Sequence, residues 1–565
     1  MSKLECFFTV LLGFFIYEVV FIRIGFFIGQ PIGKYSIVLA LLSYTSILFT
    51  LAAWNPIASK SSKNFYYGVT FFIVSIFLTA TLLPPLSKIY DTSWDGQGYH
   101  QTAVLALSEQ WNPVKEPFIK LQQNLPSQIF AEGYPSALWE IEASIYSLTG
   151  RINSAKILNF LILLVSGTVI YSLLRKIAIH KVLAFLISIS AIIQPVFTIQ
   201  MFTFMADGFG YQLILIGMAS LAVFAVSPKS YWSVITFLFS ILLLASTKYS
   251  HLPVVLILSL IFSLILGNRL LNKDYNTKKS MKLLFVLFVF VSIIFGYLPY
   301  VRNATAHKAM FYPTNIPDLM GSVKYNNVPQ NLKDKGKPLL LFYGIFSKAQ
   351  SFKSGDPTNK ENVAILKIPF TFSYGEVKNA ATLYNNRVGA GGPLFSGIVV
   401  SSLAFLLFVS FKVDTKAKRY AIYSAYFCLG TIIFLSLLAP TPNLLRYVNQ
   451  LQLIPFIVII VISTFAKNVV FKTGVFLLIS LTLINSSVYA FAVIKKVRTE
   501  NIEIDRQFIE MRESGKTYAV SARHLYSNYL MLQEQNIPFV IVDNLSCKDM
   551  IPFPGSSRST FYCAL

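Results

Sequence analysis

Apolar residues along this chain come in long, nearly unbroken runs, not at the spacing of a half-buried helix or strand. Thirteen runs stand out, near 6–28, 35–54, 66–85, 156–174, 182–199, 209–226, 231–247, 252–267, 282–300, 393–411, 420–439, 451–466 and 473–494. A helix needs about 20 mainly apolar residues to cross a hydrocarbon core about 30 Å thick. The pattern therefore predicts an all-α polytopic membrane protein with about thirteen transmembrane helices. The first run carries Glu18 and Arg23, five residues apart, and a buried ion pair between them is the expected way to hold both in a span. That run is too long and too charged for a signal peptide, and no small-residue cleavage site follows, so it reads as retained.

Three long polar segments interrupt the runs: 86–155, 301–392 and 495–565. The last reads as a small α/β piece. Residues 500–513 look helical, and the apolar stretches 518–522 and 537–542 look like strands on either side of a helical stretch 523–535. The organisation predicted is a transmembrane module over 1–494 and a small tail over 495–565.

Composition agrees with this pattern and removes other classes. Of the 565 residues, 55% are hydrophobic and 13% charged, whereas a soluble domain carries about 25% charged residues. A cytosolic enzyme, a disordered chain and a disulfide scaffold are excluded. The net charge of +23 raises nucleic acid as a partner, but its placement gives another meaning. With the N-terminus inside, the short inside loops carry Lys60, Lys63, Arg175, Lys176, Lys181, Lys229, Arg269, Lys412, Lys416 and Lys418, while the short outside loops carry only Lys34, Lys248 and Arg446. That is the positive-inside bias of a multi-pass membrane protein, and no nucleic-acid partner is expected. The three long segments then lie outside the cytoplasm. No GxxxxGK[ST], CxxC or HExxH pattern occurs, so neither a nucleotide site nor zinc is indicated. Cys6 and Cys428 fall in spans as inert packing. Cys547 and Cys563 both fall in the tail, where a disulfide is plausible in an oxidising compartment.

The densest chemistry lies just after the third run, in Tyr90-Asp91-Thr92-Ser93-Trp94-Asp95-Gly96-Gln97-Gly98-Tyr99-His100-Gln101. Asp91 suits a helix cap or turn. Asp95 suits a catalytic or metal-linked carboxylate, or a turn before Gly96. His100 suits a site role or a hydrogen-bonded surface histidine. Glu132, Glu140 and Glu142 follow with Trp111, Tyr134 and Trp139, and carboxylates beside aromatic faces suit sugar recognition.

Asp95-x-x-x-Tyr99 at the start of a large outside loop resembles the loop signature of the GT-C superfamily of membrane glycosyltransferases, which includes aminoarabinose and protein O-mannosyltransferases. The fuller Trp94-Asp95-Gly96-x-x-Tyr99-His100-Gln101 resembles uncharacterised bacterial relatives of that class. Arg302-Asn303 followed by Tyr312-Pro313 is similar to an "RN…NPxYP" segment of such proteins, with Lys308-Ala309 in place of Gly-Asn. The resemblance implies a GT-C-like fold in a bacterial inner or plasma membrane. It also implies a lipid-linked sugar donor and a catalytic acidic residue in this loop. The usual plan places that loop after the first span, whereas here it follows the third.

Other residues point to the same side. Asp207 opens the sixth run, as a helix cap or, by the resemblance, a holder of metal or acceptor. Lys248 runs against the charge bias and suits a phosphate, or snorkels to the interface. Arg302 and Asn303 end the ninth run. Arg387 precedes Gly389, Gly391 and Gly392, a setting for an anion or a flexible re-entry loop. Arg446-Tyr447 lies between the eleventh and twelfth runs, and arginine suits phosphate at a dry boundary.

Taken together, Asp95, Tyr99 and His100 are the expected catalytic residues. Lys248, Arg302, Asn303, Arg387, Arg446 and Tyr447 are the expected substrate or phosphate binders. Asp95 and Asp207 could hold Mg2+ or Mn2+, although metal-independent catalysis is equally allowed. The expected function is inverting transfer of a sugar from a polyprenyl-phosphate donor in the membrane lipid to a glycan, lipid or protein acceptor. A transporter or flippase, and a polymerase or ligase of surface polysaccharide, are the competing readings.

Overall fold

The computed structural model describes residues 3–53, 59–118, 126–227, 230–271, 288–318, 321, 327–350, 363–380, 387–389, 391–412, 415–464, 469–521, 525, 527–547, 549–553, 555–556 and 560–565. It is mostly helical (73%) with a small C-terminal sheet. Six helices among the described residues are long and apolar enough to cross a membrane: Leu4–Ile28, Ile152–Lys176, Ala206–Val226, Tyr249–Arg269, Lys418–Leu438 and Val469–Glu513. Seven shorter apolar helices accompany them, among them Lys181–Ile192, Trp232–Ala245 and Phe395–Ser410. Part of the ninth apolar run, 282–287, lies outside the described residues.

The helices that position the site are α1 (Lys3–Ile28), α2 (Ala137–Thr149), α3 (Ile157–Lys176), α4 (Ala206–Val226), α5 (Tyr231–Ala245), α6 (Leu252–Leu271), α7 (Lys337–Phe346), α8 (Phe395–Ser410), α9 (Lys416–Leu438), α10 (Ile454–Thr464), α11 (Val469–Glu513) and α12 (Ser527–Glu534). Helix α4 is apolar on nearly every face and sits buried between α3 and α5. A helix with no polar face is stable only where all its faces meet protein or lipid. Outer helices instead turn apolar stripes away from the core. Leu256, Leu260 and Leu264 repeat every four residues on α6, and Tyr423, Phe427 and Phe434 mark α9. Such outward stripes fit lipid and would be costly in water.

Glu18 and Arg23 do not pair with each other. Five helical residues rotate side chains by about 140°, so the two leave α1 on different faces. Arg23 forms a bidentate ion pair with Glu140 of α2, at 2.9 Å to Oε1, and its Nη1 donates to the carbonyls of Ile294, Phe295 and Leu298. Glu18 instead accepts from the Ser144 hydroxyl. The first helix is thereby tied to the segment 86–155 by two polar links.

Helix α11 runs through position 494 without a break. Its 45 residues extend roughly 68 Å at 1.5 Å per residue, and its distal part forms one wall of the tail. The sheet of the tail has four strands, β1 (Tyr518–Ser521), β2 (Phe539–Ile541), β3 (Ile551–Pro552) and β4 (Phe561–Ala564), in the order β2-β1-β4-β3. Strands β1 and β2 are parallel with Tyr518 opposite Phe539, and α12 lies between them in sequence. Strand β4 is antiparallel to β1. Cys547 and Cys563 are disulfide-bonded, while Cys6 is buried in the bundle. Ile504, Phe508 and Met511 of α11 pack with Val520, Leu532 and Phe553, and Tyr90 from the segment 86–155 completes this small core. The tail is thus docked on the loop that carries Asp95.

Candidate functional site

Asp91 sets the local frame. Its Oδ1 accepts from the Ser93 amide and its Oδ2 from the Phe204 amide, each at 2.7 Å. One fully buried carboxylate therefore joins the segment 86–155 to the segment that enters α4. Asp91 acts as the turn residue that its sequence position allowed. Burial raises its pKa from the ordinary aspartate value, opposed by nearby Lys156 and these hydrogen bonds. Gly96 has no alternative here, because a Cβ at that position would stand 2.0 Å from Asp91 Oδ2. Gln97 closes the other side, donating to the carbonyls of Asp91 and of Gly555 in the tail.

Residues Gly96–His100 form a single π-helical turn, a wider turn that often marks functional sites. It follows Asp95 and buries Tyr99 and His100. The Tyr99 ring meets Tyr134 edge-on at 5.7 Å between centroids, and the His100 ring meets Trp139 edge-on at 5.5 Å. Trp139 Nε1 donates to His100 Nδ1 at 2.7 Å. Indole N–H only donates, so Nδ1 must accept and the neutral ring carries its proton on Nε2. Burial pushes the His100 pKa down to about 3, despite the attraction of Asp95 and Asp207. Burial also pushes the Tyr99 and Tyr134 phenols well above their ordinary value, so both stay protonated.

Two ion pairs lie beside this aromatic wall. Asp95 Oδ2 pairs with Arg446 Nη1, and Asp95 Oδ1 makes no hydrogen bond among the described residues. Asp207, in the first turn of α4, pairs with Lys248 at 2.5 Å. Tyr447 joins the pairs, with Lys248 Nζ and Arg446 Cζ each 5.1 Å from its ring centre, within range of a cation–π contact. Burial would weaken the Arg446 cation, but Asp95, Tyr447 and Asp207 together hold its proton more firmly than an ordinary guanidinium does. Arg387 lies in the same field. Burial and the neighbouring Arg446 cation lower its pKa to about 10, with Asp95 pulling the other way.

Eight of the residues expected from sequence therefore share one electrostatic neighbourhood: Asp95, Tyr99, His100, Asp207, Lys248, Arg387, Arg446 and Tyr447. It lies at one end of the bundle. Asp207 is in the first turn of α4, while Phe224, under the Arg269 guanidinium, is in the last. The seventeen residue steps from one to the other span about 26 Å, close to the hydrocarbon thickness.

Arg302 and Asn303 are placed differently. Arg302 pairs with Glu132 at 3.1 Å, and Asn303 Nδ2 donates to the carbonyls of Gly133 and Tyr312 and to the Tyr249 hydroxyl. They brace the wall behind Tyr134 and have no contact with Asp95 or Arg446 among the described residues. The glycines after Arg387 are also committed to packing. The Gly389 amide donates to the Gly344 carbonyl, the Gly392 amide to the Gly389 carbonyl, and Asn485 fills the space where a Gly392 side chain would lie. Glu140, read as a sugar-binding carboxylate, is consumed by Arg23.

Two supporting residues escaped the sequence reading. Gln200 Oε1 accepts from the Gly208 amide at 2.7 Å, and Asn449 donates to the Asp207 carbonyl at 3.1 Å. A side-chain amide just beyond the end of an apolar run was their only signal. His251 is buried with both ring nitrogens unpartnered, against Gly210, where a Cβ would come within 2.1 Å of its ring. Asp95 and Asp207, the two carboxylates expected to hold a divalent ion, each pair with a side-chain cation through one carboxylate oxygen. Comparison with protein-family models, curated proteins and solved structures finds no match.

Proposed function

We propose that this chain is a GT-C-like membrane glycosyltransferase that moves a sugar from a polyprenyl-phosphate donor to an extracytoplasmic glycan, lipid or protein acceptor. In this reading it crosses a bacterial inner or plasma membrane thirteen times, with a cytoplasmic N-terminus and the Asp95 site outside. The observation that carries the proposal is the convergence of three cations, two carboxylates and an aromatic wall at one end of a charge-poor bundle. Arginine and lysine cations held at the end of an apolar bundle suit a phosphate.

The acceptor hydroxyl would lie on the unbonded Oδ1 of Asp95. As its oxygen attacks the anomeric carbon, its proton passes to Asp95 and the bond from sugar to phosphate oxygen breaks. The electron pair leaves with the phosphate, whose growing charge falls on Arg446, Arg387 and Lys248. Attack opposite the leaving phosphate inverts the anomeric centre. His100 Nε2–H and the Tyr99 hydroxyl offer neutral donors to sugar oxygens. No step requires a metal, since guanidinium and ammonium groups already supply the charge. Transport or polymerisation has no observation of its own to favour it.

Asp95→Asn tests the reading. Base catalysis is worth about 10²–10⁴-fold, so transfer from a polyprenyl-phosphate sugar in membranes is expected to fall by that order, with or without EDTA. Unchanged transfer by a folded variant removes Asp95 from catalysis. Donor lipid crossing proteoliposomes without acceptor would favour the flippase.

A further inference from the structure

Helix α7 is apolar on every side, although it belongs to an outside loop. After Lys337 its sequence is Pro-Leu-Leu-Leu-Phe-Tyr-Gly-Ile-Phe, with no charge. Leu340, Leu341 and Gly344 are buried against the protein, while Leu339 and Phe342 face outward. The segment 365–372 extends this outward surface. It pairs with the end of α7 through Lys348 N to Ile365 O at 2.8 Å and Lys367 N to Phe346 O at 2.9 Å. It exposes Ile368, Phe370 and Phe372 at alternate positions, with Ile368 75% exposed. Lys367, just before them, turns inward, donating to Glu376 and to the Pro393 carbonyl at 2.7 Å. The single charge is withdrawn and the apolar groups are displayed, the reverse of a water-facing strand.

This surface is continuous with the outward stripes of two membrane helices. Phe370 packs on Gly397 in the first turn of α8, where a Cβ would stand 2.5 Å from its ring. The exposed face of α8 continues with Val400, Leu403 and Leu407 at helical spacing. At the other side, Lys337 Nζ donates to the Leu438 carbonyl that ends α9. The same unit supports the candidate site. Gly344 lies against Asn443, Asn443 Nδ2 donates to the Arg387 carbonyl at 3.0 Å, and the Arg387 amide donates to Gln350 at 3.0 Å.

We propose that α7 and segment 365–372 form a foot embedded in the outer leaflet, with lipid acyl chains as its occupant. An all-apolar helix with one uncovered face is stable against hydrocarbon and not against water, and the uncovered face here prolongs surfaces that already face outward on α8 and α9. The foot ties the bilayer surface to the strand bearing Arg387 and the loop bearing Arg446. This inference rests on the membrane reading and not on the chemistry assigned to Asp95.

Nitroxide scanning of the full chain in phosphatidylethanolamine/phosphatidylglycerol vesicles tests it. Ile368→Cys and Phe342→Cys are made in a Cys428→Ala background, with Leu403→Cys as the lipid reference and Lys516→Cys as the aqueous one. Each variant is first checked for monodispersity in detergent. At positions 368 and 342 oxygen is expected to broaden the signal more than a water-soluble nickel chelate, as at position 403, with the order reversed at position 516. Nickel broadening that matches position 516 at both positions overturns the proposal, because the surface then faces water. An immobilised signal reached by neither reagent overturns it as well, because the surface is then covered by a second copy or another protein. Either position alone decides the question if the other variant fails to fold, and loss of transfer activity in Asp95→Asn has no bearing on it.

Discussion

Trp139 donates its indole proton to Nδ1 of His100 at 2.7 Å, inside the loop that also carries Asp95. This bond fixes which face of the imidazole can donate. Removing the donor in Trp139→Phe leaves a buried acceptor unsatisfied, at a cost of about 1–3 kcal/mol. Thermal unfolding in detergent is expected to show that loss, and His100→Ala in the same background should then add less than it does alone.

The same histidine makes stability pH-dependent in a defined direction. Burial holds its folded pKa near 3, against an ordinary histidine value of 6.5. Between these values the unfolded chain binds more protons, so stability rises with pH. The contribution is complete above about 6.5 and is lost as pH falls towards 3. Wild-type midpoints measured from pH 7 down to pH 4 should decline more steeply than those of His100→Gln. Parallel curves would contradict the burial argument.

The pair of Asp207 and Lys248 is buried, and breaking such a pair leaves an uncompensated charge costing about 3–5 kcal/mol. Asp207→Asn and Lys248→Met are each expected to destabilise by that order, and the double variant by less than their sum. Additive losses in a double-mutant cycle would show that the two groups do not act together.

Gly96→Ala places a methyl group 2.0 Å from Asp91 Oδ2, in backbone that Asp91 and Gln97 hold from both sides. Strain of about 1–3 kcal/mol is expected, together with faster proteolysis of the tail, which Gln97 ties to the loop through Gly555. Gly150→Ala controls for position: Gly150 has open space around its Cβ, but its φ of 64° confines the penalty to backbone strain.

The bond between Cys547 and Cys563 closes a loop with a sequence separation of 16, worth about 3 kcal/mol by loop-closure entropy. Non-reducing peptide mapping should recover the linked pair from membranes, and reductant should sensitise the tail to protease while leaving the bundle intact. Free thiols at both positions in native membranes would argue against an oxidising side for the tail.

The apolar runs made the helical bundle legible, because hydrocarbon accepts only segments that bond their own backbone and carry few charges. The scarcity of charge made Asp95, Asp207, Lys248 and Arg446 legible for the same reason: a charge is conspicuous where most have been removed. The strands and helix of the tail followed from short apolar runs separated by polar ones.

Partner choice was not legible. Glu18 and Arg23 are neighbours in sequence, yet Arg23 pairs with Glu140, 117 residues away, because helical rotation separates nearby side chains and tertiary packing assigns the distant one. Arg302 and Arg387 look alike as span-end arginines, but Glu132 captures one, while the fold of the 387–446 region brings the other beside Asp95. Gln200 and Asn449 carry no motif, and only their approach to the Asp207 helix start gives them a role. The sequence alone determined which segments form long apolar helices, since that depends on composition summed along a run. The tertiary structure decided which charges meet, since a hydrogen bond or ion pair depends on distances of about 3 Å that no run of letters encodes.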